Sequence, residues 1–332
     1  MCTAVNFTEG RHLFGRTLDL EYTLGQQVLT IPRGFDLGGG VRTEYAIIGV
    51  GIIRDGVALL FDGMNERGLC AAALNFPFGS AYHRPMTDRN NLPSFSLLPY
   101  ILGKCADLAA VSGRLRNINI VSDDFSEDMP ATPLHWIIAD TGGALTAESV
   151  ATGLQVYENR QGILTNSPEF PYQLLRLADY MSLGPSYPQN NISDVYLPAY
   201  SRGMGAMGLP GDFSSPSRFV RAAFLKKNTS DYRGDENGLP AKDCERAESH
   251  LQQSRISRLF HIMGGVSVPL GCALTDRGSK VYTVYTSVAA PEDMTYYFTT
   301  YGCRRIRSVR LDPHSACLKQ YSMESAEDIL SL

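Results

Sequence analysis

Six β-prone runs follow one another in the first 75 residues with no helical stretch between them. They cover residues 2–8, 11–18, 27–32, 44–53, 57–61 and 70–74, bounded by Gly, Asn, Asp or Pro. Helical spacing comes later, over residues 94–108, 171–181, 217–226 and 241–263. Further strands read at 133–140, 144–150, 279–288, 294–301 and 305–311. Strands and helices in blocks predict a layered α+β fold and not an alternating βαβ one. Residues 9–10 close the first hairpin and residues 62–69, with their Gly and Asn, read as a turn. Ser94 is the expected cap of the first helix and Ser214 or Ser215 that of the third, which has Pro216 in its first turn. Residues 184–213, rich in Gly, Pro, Ser, Tyr and Asn, read as a long loop of the functional or interfacial kind. A chain of 332 residues can be one large domain or two.

The chemistry concentrates at the beginning. Cys2 follows Met1, and methionine is trimmed when the next side chain is small. Cys2 would then carry a thiol, near pKa ~8.5, and an α-amine, near ~7.7–8.0, on one residue. The amine can take the thiol's proton, so one residue supplies nucleophile and base. The predicted hairpin holds Arg16 and Asp19 close by. A cation beside a thiol favours thiolate, and a carboxylate holds an ammonium in place. Asn75 ends an apolar strand just before Pro77, and Asn166 precedes Pro168, so both put polar groups at a sheet rim.

Other chemistries find no support in the pattern. The seven cysteines are scattered without a CxxC pair, which predicts reduced thiols and a cytoplasmic protein. No HExxH or close histidine pair occurs, so no metal is expected. His135, beside Trp136, reads as a strand residue and not as a base. The glycines at 38–40 do not open a helix after a strand, which argues against a dinucleotide cofactor. No GxSxG elbow is present. A net charge of −4 without a Lys/Arg run argues against nucleic acid. No run of about 18 apolar residues and no signal peptide are read, so neither membrane nor export is expected.

Five segments together resemble the choloylglycine hydrolase family, which contains bile salt hydrolases and penicillin V acylases. They are Cys2, Arg16-Thr17-Leu18-Asp19, Gly68-Leu69 leading to Leu74-Asn75-Phe76-Pro77, Leu164-Thr165-Asn166-Ser167-Pro168, and Leu209-Pro210-Gly211-Asp212 with Ser217-Arg218-Phe219-Val220-Arg221. The resemblance spans nearly the whole chain. It implies one catalytic domain over residues 1–332, a four-layer αββα N-terminal-nucleophile fold with two stacked antiparallel sheets, and a homotetramer to which residues 184–213 contribute. It implies Cys2 as nucleophile and base, and Arg16 and Asp19 as the charges that tune it. Asn166 is similar to the side-chain donor of the oxyanion hole and Asn75 to the residue whose backbone N–H completes it. Arg218 resembles the last charge of the site, with Arg221 three residues on as the alternative. Leu18, Phe61 and Met129, on loops or strand ends, are the expected substrate wall. No cofactor is implied. The reaction implied is amide hydrolysis through a thioester. Asn at position 75 is similar to the bile-salt branch, where penicillin acylases tend to carry Tyr. An inactive binding protein on the same fold and a penicillin V acylase are the competing readings.

Overall fold

The computed structural model describes residues 1–38, 40–232 and 244–324. Gly39 of the glycine triplet, residues 241–243 of the predicted last helix and residues 325–332 of the expected domain lie outside the described residues.

The chain opens with β1 (Cys2–Phe7) and β2 (Leu13–Leu20), paired with Cys2 opposite Leu18 and Ala4 opposite Arg16. An antiparallel meander follows, β3 (Gln27–Ile31), β4 (Ile47–Arg54), β5 (Val57–Asn65) and β6 (Cys70–Asn75). Here the structure corrects the sequence reading, because β5 does not end at Phe61. Residues 62–65, expected as turn, belong to the strand. Two features hid them. The register slips between Val50 and Gly51, leaving Phe61 as an extra residue that breaks the period-two pattern. Gly63 is a packing glycine that lies opposite Gly49, where a Cβ would sit 2.6 Å from the Ile48 carbonyl oxygen. The turn starts later, where Asn65 Oδ1 accepts from the Arg67 and Leu69 backbone amides at 3.0 and 3.1 Å.

Next come β7 (Asn90–Pro93), α1 (Ser94–Lys104), α2 (Leu108–Leu115) and β8 (Ile118–Val121), with β7 and β8 parallel. The single helix expected over 94–108 is thus two. Asp107 starts the second by accepting from the Ala110 amide at 2.8 Å. Pro93 occupies the cap of α1, and the Ser94 hydroxyl donates instead to the Thr132 carbonyl at 3.0 Å. A second meander, β9 (Leu134–Asp140), β10 (Gly143–Val150) and β11 (Gly153–Glu158), leads to β12 (Ile163–Leu164) and α3 (Phe170–Arg176). The long loop over 184–213 is largely exposed, with one short 3-10 turn at Met204–Ala206. Then follow α4 (Ser215–Asn228), α5 (Cys244–Gly264), β13 (Ala273–Leu274), β14 (Lys280–Ala290), β15 (Thr295–Thr300), β16 (Cys303–Arg310) and β17 (Lys319–Ser322). Ser214 sits at the cap of α4 without a side-chain cap bond.

Two sheets result. One runs β12-β1-β2-β14-β15-β16 with β13 on β14, and the other β11-β10-β9-β6-β5-β4-β3-β17. They stack face to face, with α4 and α5 outside the first and α1 and α2 outside the second. The second sheet is buried on both faces, which is why its strands read as apolar runs. Alternate residues divide between layers. Cys70, Ala72, Leu74, Ile137 and Ala139 join the core that also holds β1, β2, α4 and α5. Leu69, Ala71, Ala73, Trp136 and Ile138 face α1 and α2. The expected α+β class and its four αββα layers are what the chain adopts.

Candidate active site

Cys2 heads a central strand of the first sheet, and its side chain points into the space between the sheets. Arg16 lies two residues along on the neighbouring strand, in register with Ala4, so it shares that face. Its Nη2 donates to Cys2 Sγ at 3.5 Å and to the Ala73 carbonyl at 3.0 Å. Its Nη1 donates to Asp62 Oδ2 at 2.9 Å and to the Tyr285 hydroxyl. Asp62 comes from β5 of the opposite sheet, and its other oxygen accepts from Ser287 at 3.3 Å and from Tyr296. Arg16 and Asp62 are each 1% exposed. Burial opposes the guanidinium's charge, but Tyr285, Cys2 and Asp62 together raise its pKa above the usual value. Burial pushes the Tyr285 and Tyr296 phenols well up, so both are hydroxyl donors to Asp62.

A second charged pair sits on the other face of the same strands. Asp19 is one residue past Leu18, so it points away from the Cys2 side chain, toward α4. Its carboxylate lies 3.9 Å from Arg218 Nη1 and accepts from the Thr283 hydroxyl at 2.6 Å. An irregularity in β14 between Thr283 and Tyr285 lets that strand serve both faces, Thr283 toward Asp19 and Tyr285 toward Arg16. Arg218 is fully buried at the start of α4. It donates to the Cys2 carbonyl at 2.5 Å, Thr3 Oγ1 at 2.7 Å, Asn166 Oδ1 at 2.6 Å and the Phe213 carbonyl at 3.0 Å. Burial lowers its pKa, with Asp19 and Cys2 opposing and Arg221 adding to the fall. Arg221 faces elsewhere, bonding the Gly265, Pro210 and Asp212 carbonyls at 3.0, 2.9 and 2.5 Å. It ties down the end of the long loop, and the alternative between the two arginines closes on Arg218.

Asn166 links the halves. Its Oδ1 accepts from the Cys2 amide at 2.8 Å and from Arg218, while its Nδ2 donates to the Asn75 carbonyl at 2.7 Å. Two donors on one side fix which way the amide is turned. Its backbone is pinned by Ser215 Oγ at 2.8 Å and Gln173 Nε2 at 3.0 Å. Ser215, weighed as a helix cap, therefore holds the site, and its own hydroxyl donates to Thr165 Oγ1 at 2.9 Å. Behind this turn, His135 Nε2 lies 3.0 Å from the Thr165 carbonyl and Nδ1 3.0 Å from Glu148. The ring stacks on Phe76 at 4.5 Å, so His135 is a buried strut of the Asn166 turn.

Cys2, Arg16, Asp19, Asn75, Asn166 and Arg218 thus converge from β1, β2, β6, the turn after β12 and α4. Met1 precedes Cys2 beside Asp19. Its amine donates to the Asp19 carbonyl at 2.5 Å and its carbonyl accepts from the Asp19 amide at 2.8 Å, prolonging the hairpin by one residue. Of the expected wall, Leu18 lies directly opposite Cys2 and is buried. Phe61 is at neither a loop nor a strand end, being the half-buried extra residue inside β5. Met129 is half-buried in the β8–β9 connection, where its backbone closes on Ser126 and Phe125. Sequence reasoning missed Asp62, Tyr285, Tyr296, Thr283 and Ser215. Among the described residues no group of His, Cys, Asp and Glu fit to hold a metal ion occurs, and no helix is long and apolar enough to cross a membrane.

The family model for linear amide C–N hydrolases, choloylglycine hydrolase family, matches residues 2–325. The chain is similar to a bile salt hydrolase/transferase of Lactiplantibacillus plantarum, 39% identical over 318 residues, covering 94% of this chain and 93% of that one. It is 34% identical to a bile salt hydrolase/transferase of Clostridium perfringens over 322 residues, with 94% and 93% covered. A crystal structure of a variant of the conjugated bile acid hydrolase from Clostridium perfringens superposes with TM-score 0.84 at 32% identity, covering 100% of this chain and 99% of that one. Penicillin V acylase from Agrobacterium tumefaciens shares the fold, with TM-score 0.71 at 21% identity, covering 98% and 92%.

Proposed function

The chain belongs to the choloylglycine hydrolase family of linear amide C–N hydrolases, and from that premise we propose that it hydrolyses the amide bond of glycine- and taurine-conjugated bile salts. The observation that carries the reading is the convergence on Cys2. A cation reaches its sulfur, and its nitrogen and carbonyl are held by Asn166 and Arg218. The whole chain acts as one catalytic domain.

Cleavage of Met1 turns the Cys2 amide into an α-amine that remains on Asn166 Oδ1. That amine takes the proton of the thiol, and Arg16 stabilises the thiolate. The thiolate attacks the substrate carbonyl. Negative charge develops on the carbonyl oxygen, toward which Asn166 offers the second N–H of its Nδ2 and Asn75 its backbone N–H. The α-ammonium returns its proton to the leaving nitrogen, so glycine or taurine departs and the acyl group stays on sulfur as a thioester. Water, deprotonated by the same amine, attacks the thioester and releases the free bile acid and the thiol. Asp19 and Arg218 fix the amine, Asp19 from the hairpin and Arg218 through Asn166.

Penicillin V is the weaker substrate in this reading. Asn75 leaves open the space that a Tyr would fill beside the oxyanion, and a steroid needs a broad apolar wall whose burial yields ~25 cal/mol per Å². Leu18, Phe61 and Met129 are assigned to that wall. We assign the protein to the cytoplasm, consistent with its scattered thiols, and to a homotetramer joined through the long loop, where Ile192, Tyr196 and Tyr200 are 87%, 85% and 81% exposed. The test is steady-state kinetics on glycocholate, taurocholate and penicillin V, alongside intact mass. Hydrolysis of the conjugates by protein lacking Met1, and its loss in Cys2→Ala, is the expected result. A higher kcat/KM for penicillin V than for either conjugate would overturn the substrate, and full activity with Met1 retained would overturn the mechanism.

A further inference from the structure

Arg16 is the cation that touches the nucleophile, and its own sheet supplies no anion to hold its side chain there, only the Tyr285 hydroxyl. Its Nε has no hydrogen-bond partner among the described residues. Its Nη2 is shared between Cys2 Sγ and the Ala73 carbonyl. The anion that balances its charge is Asp62, on a different sheet and 46 residues away in sequence. A buried guanidinium without a counter-ion is not stable in place. It moves to water or draws water in. Asp62, for its part, is committed to this one task. Oδ2 takes Arg16 Nη1 at 2.9 Å and the Tyr285 hydroxyl at 2.5 Å, and Oδ1 takes Ser287 at 3.3 Å and Tyr296. Those donors fix the carboxylate in direction. Tyr285 also meets Arg16 Nη1 directly, and its ring lies 5.5 Å from the guanidinium carbon. Hydroxyl, carboxylate and guanidinium form a closed three-membered ring of contacts.

We propose that Asp62 is a positioning residue for catalysis, which, with Tyr285, holds the Arg16 guanidinium on the Cys2 thiol. Neither Asp62 nor Tyr285 is bonded to Cys2. Their hydrogen-bonded link to the thiol runs through Arg16. A residue that merely stabilised the sheet stack would affect the site equally whether or not Arg16 was present, and this separates the two roles.

The inference rests on Cys2 as the nucleophile, a reading that wild-type turnover of glycocholate tests separately. The experiment is a double-mutant cycle on protein that has lost Met1. The rate of Cys2 alkylation by iodoacetamide at pH 7 is followed by mass on the N-terminal peptide, so other thiols do not interfere. No substrate is needed. Asp62→Asn keeps the shape and removes the charge. It should slow alkylation by about tenfold or more in the wild-type background and by less than about twofold in an Arg16→Gln background. With glycocholate, kcat should fall while KM stays within about twofold, since Asp62 acts on the thiol through Arg16. An unchanged or faster alkylation rate in Asp62→Asn, or equal slowing in both backgrounds, would overturn the proposal. If Asp62→Asn does not yield folded protein, Tyr285→Phe carries the same cycle. It removes the hydroxyl that bonds both partners and leaves the ion pair's charges intact. A several-fold slowing that disappears with Arg16→Gln supports the proposal, and no slowing overturns it.

Discussion

Arg218→Lys keeps a buried positive charge near Asp19 and removes the fork. In the structure the guanidinium spreads over the carbonyls of Phe213 and Cys2, Thr3 Oγ1 and Asn166 Oδ1, using three separate nitrogens. An ammonium places its three donors on one atom and cannot span these acceptors together. Losing two of them at about 1.5–3 kcal/mol each, typical of charged hydrogen bonds, should destabilise the fold by about 3 kcal/mol or more. For a chain of this length that corresponds to roughly 4 °C in Tm. The larger effect should fall on turnover. Arg218 is one of the two donors that turn the Asn166 amide, and without it the Nδ2 end is no longer aimed. Removal of an oxyanion donor costs about 10²–10³ in kcat, or ~3–4 kcal/mol of transition-state stabilisation. The assay is glycocholate hydrolysis with kcat and KM resolved, run below the variant's own melting range and paired with calorimetry. The expected outcome is a kcat lower by about two orders of magnitude with KM changed little. A variant that melts several degrees lower but turns over within about twofold of wild type would refute the reasoning, and would make Arg218 a helix anchor only.

Three further outcomes follow from particular contacts. His12 is buried, its Nε2 donates to Asn6 Oδ1 at 2.8 Å and its Nδ1 has no partner among the described residues, so burial lowers its pKa from 6.5 to about 4. The unfolded chain therefore binds a proton between pH 6.5 and about 4 that the folded chain refuses. Stability should be intact above that window and fall by up to about 3 kcal/mol on acidification through it. Urea unfolding at pH 7 and pH 4.5 measures the fall, and His12→Gln, which keeps a donor to Asn6, should flatten it. Gly63→Ala puts a Cβ 2.6 Å from the Ile48 carbonyl oxygen and 3.0 Å from Gly49 Cα, both backbone. It should destabilise by about 1–3 kcal/mol, read as a lower urea midpoint, and an unchanged midpoint would show that the sheet yields. Removing residues 190–205 should leave dimers or monomers by light scattering, while an unaltered mass would exclude the loop from the assembly.

The parts of the site that were legible in the sequence are those carried by short-range pattern. Cys2 and Arg16 lie on one hairpin, so strand alternation and a turn at Glu9 bring them to one face without knowledge of the rest of the fold. Asn75 and Asn166 stand where apolar strands stop at proline, which marks a rim. Arg218 could not be told from Arg221 by position, because three residues on a helix keep nearly the same face. Burial and partners decide it, since Arg218 is fully buried against Cys2 and Arg221 is not. The proposed substrate wall is the least legible part. Phe61 was placed at a strand end because the apolar alternation stops there, but it stops at an irregularity and the strand runs on.

Asp62 shows the deeper reason for what was missed. Its sequence context, Asp-Gly-Met-Asn, has the composition of a turn, and a carboxylate in a strand buried on both faces is improbable unless a cation waits opposite. That cation is Arg16, on another sheet, and the two meet only because both sheets stack with Ala4, Arg16 and Ser287 in one row. No periodicity within either segment encodes that meeting. The same holds for Tyr285, whose orientation depends on an irregularity in β14 that sequence alternation does not reveal. A charge pair across two sheets is therefore read in the opposite direction from a motif. The lone polar residue in an apolar run is the signal, and its partner is whichever unpaired opposite charge the fold places in the facing layer. By that rule the Asp62 carboxylate and the Arg16 guanidinium each account for the other. The cation at the Cys2 sulfur is paired with a residue that no N-terminal motif contains.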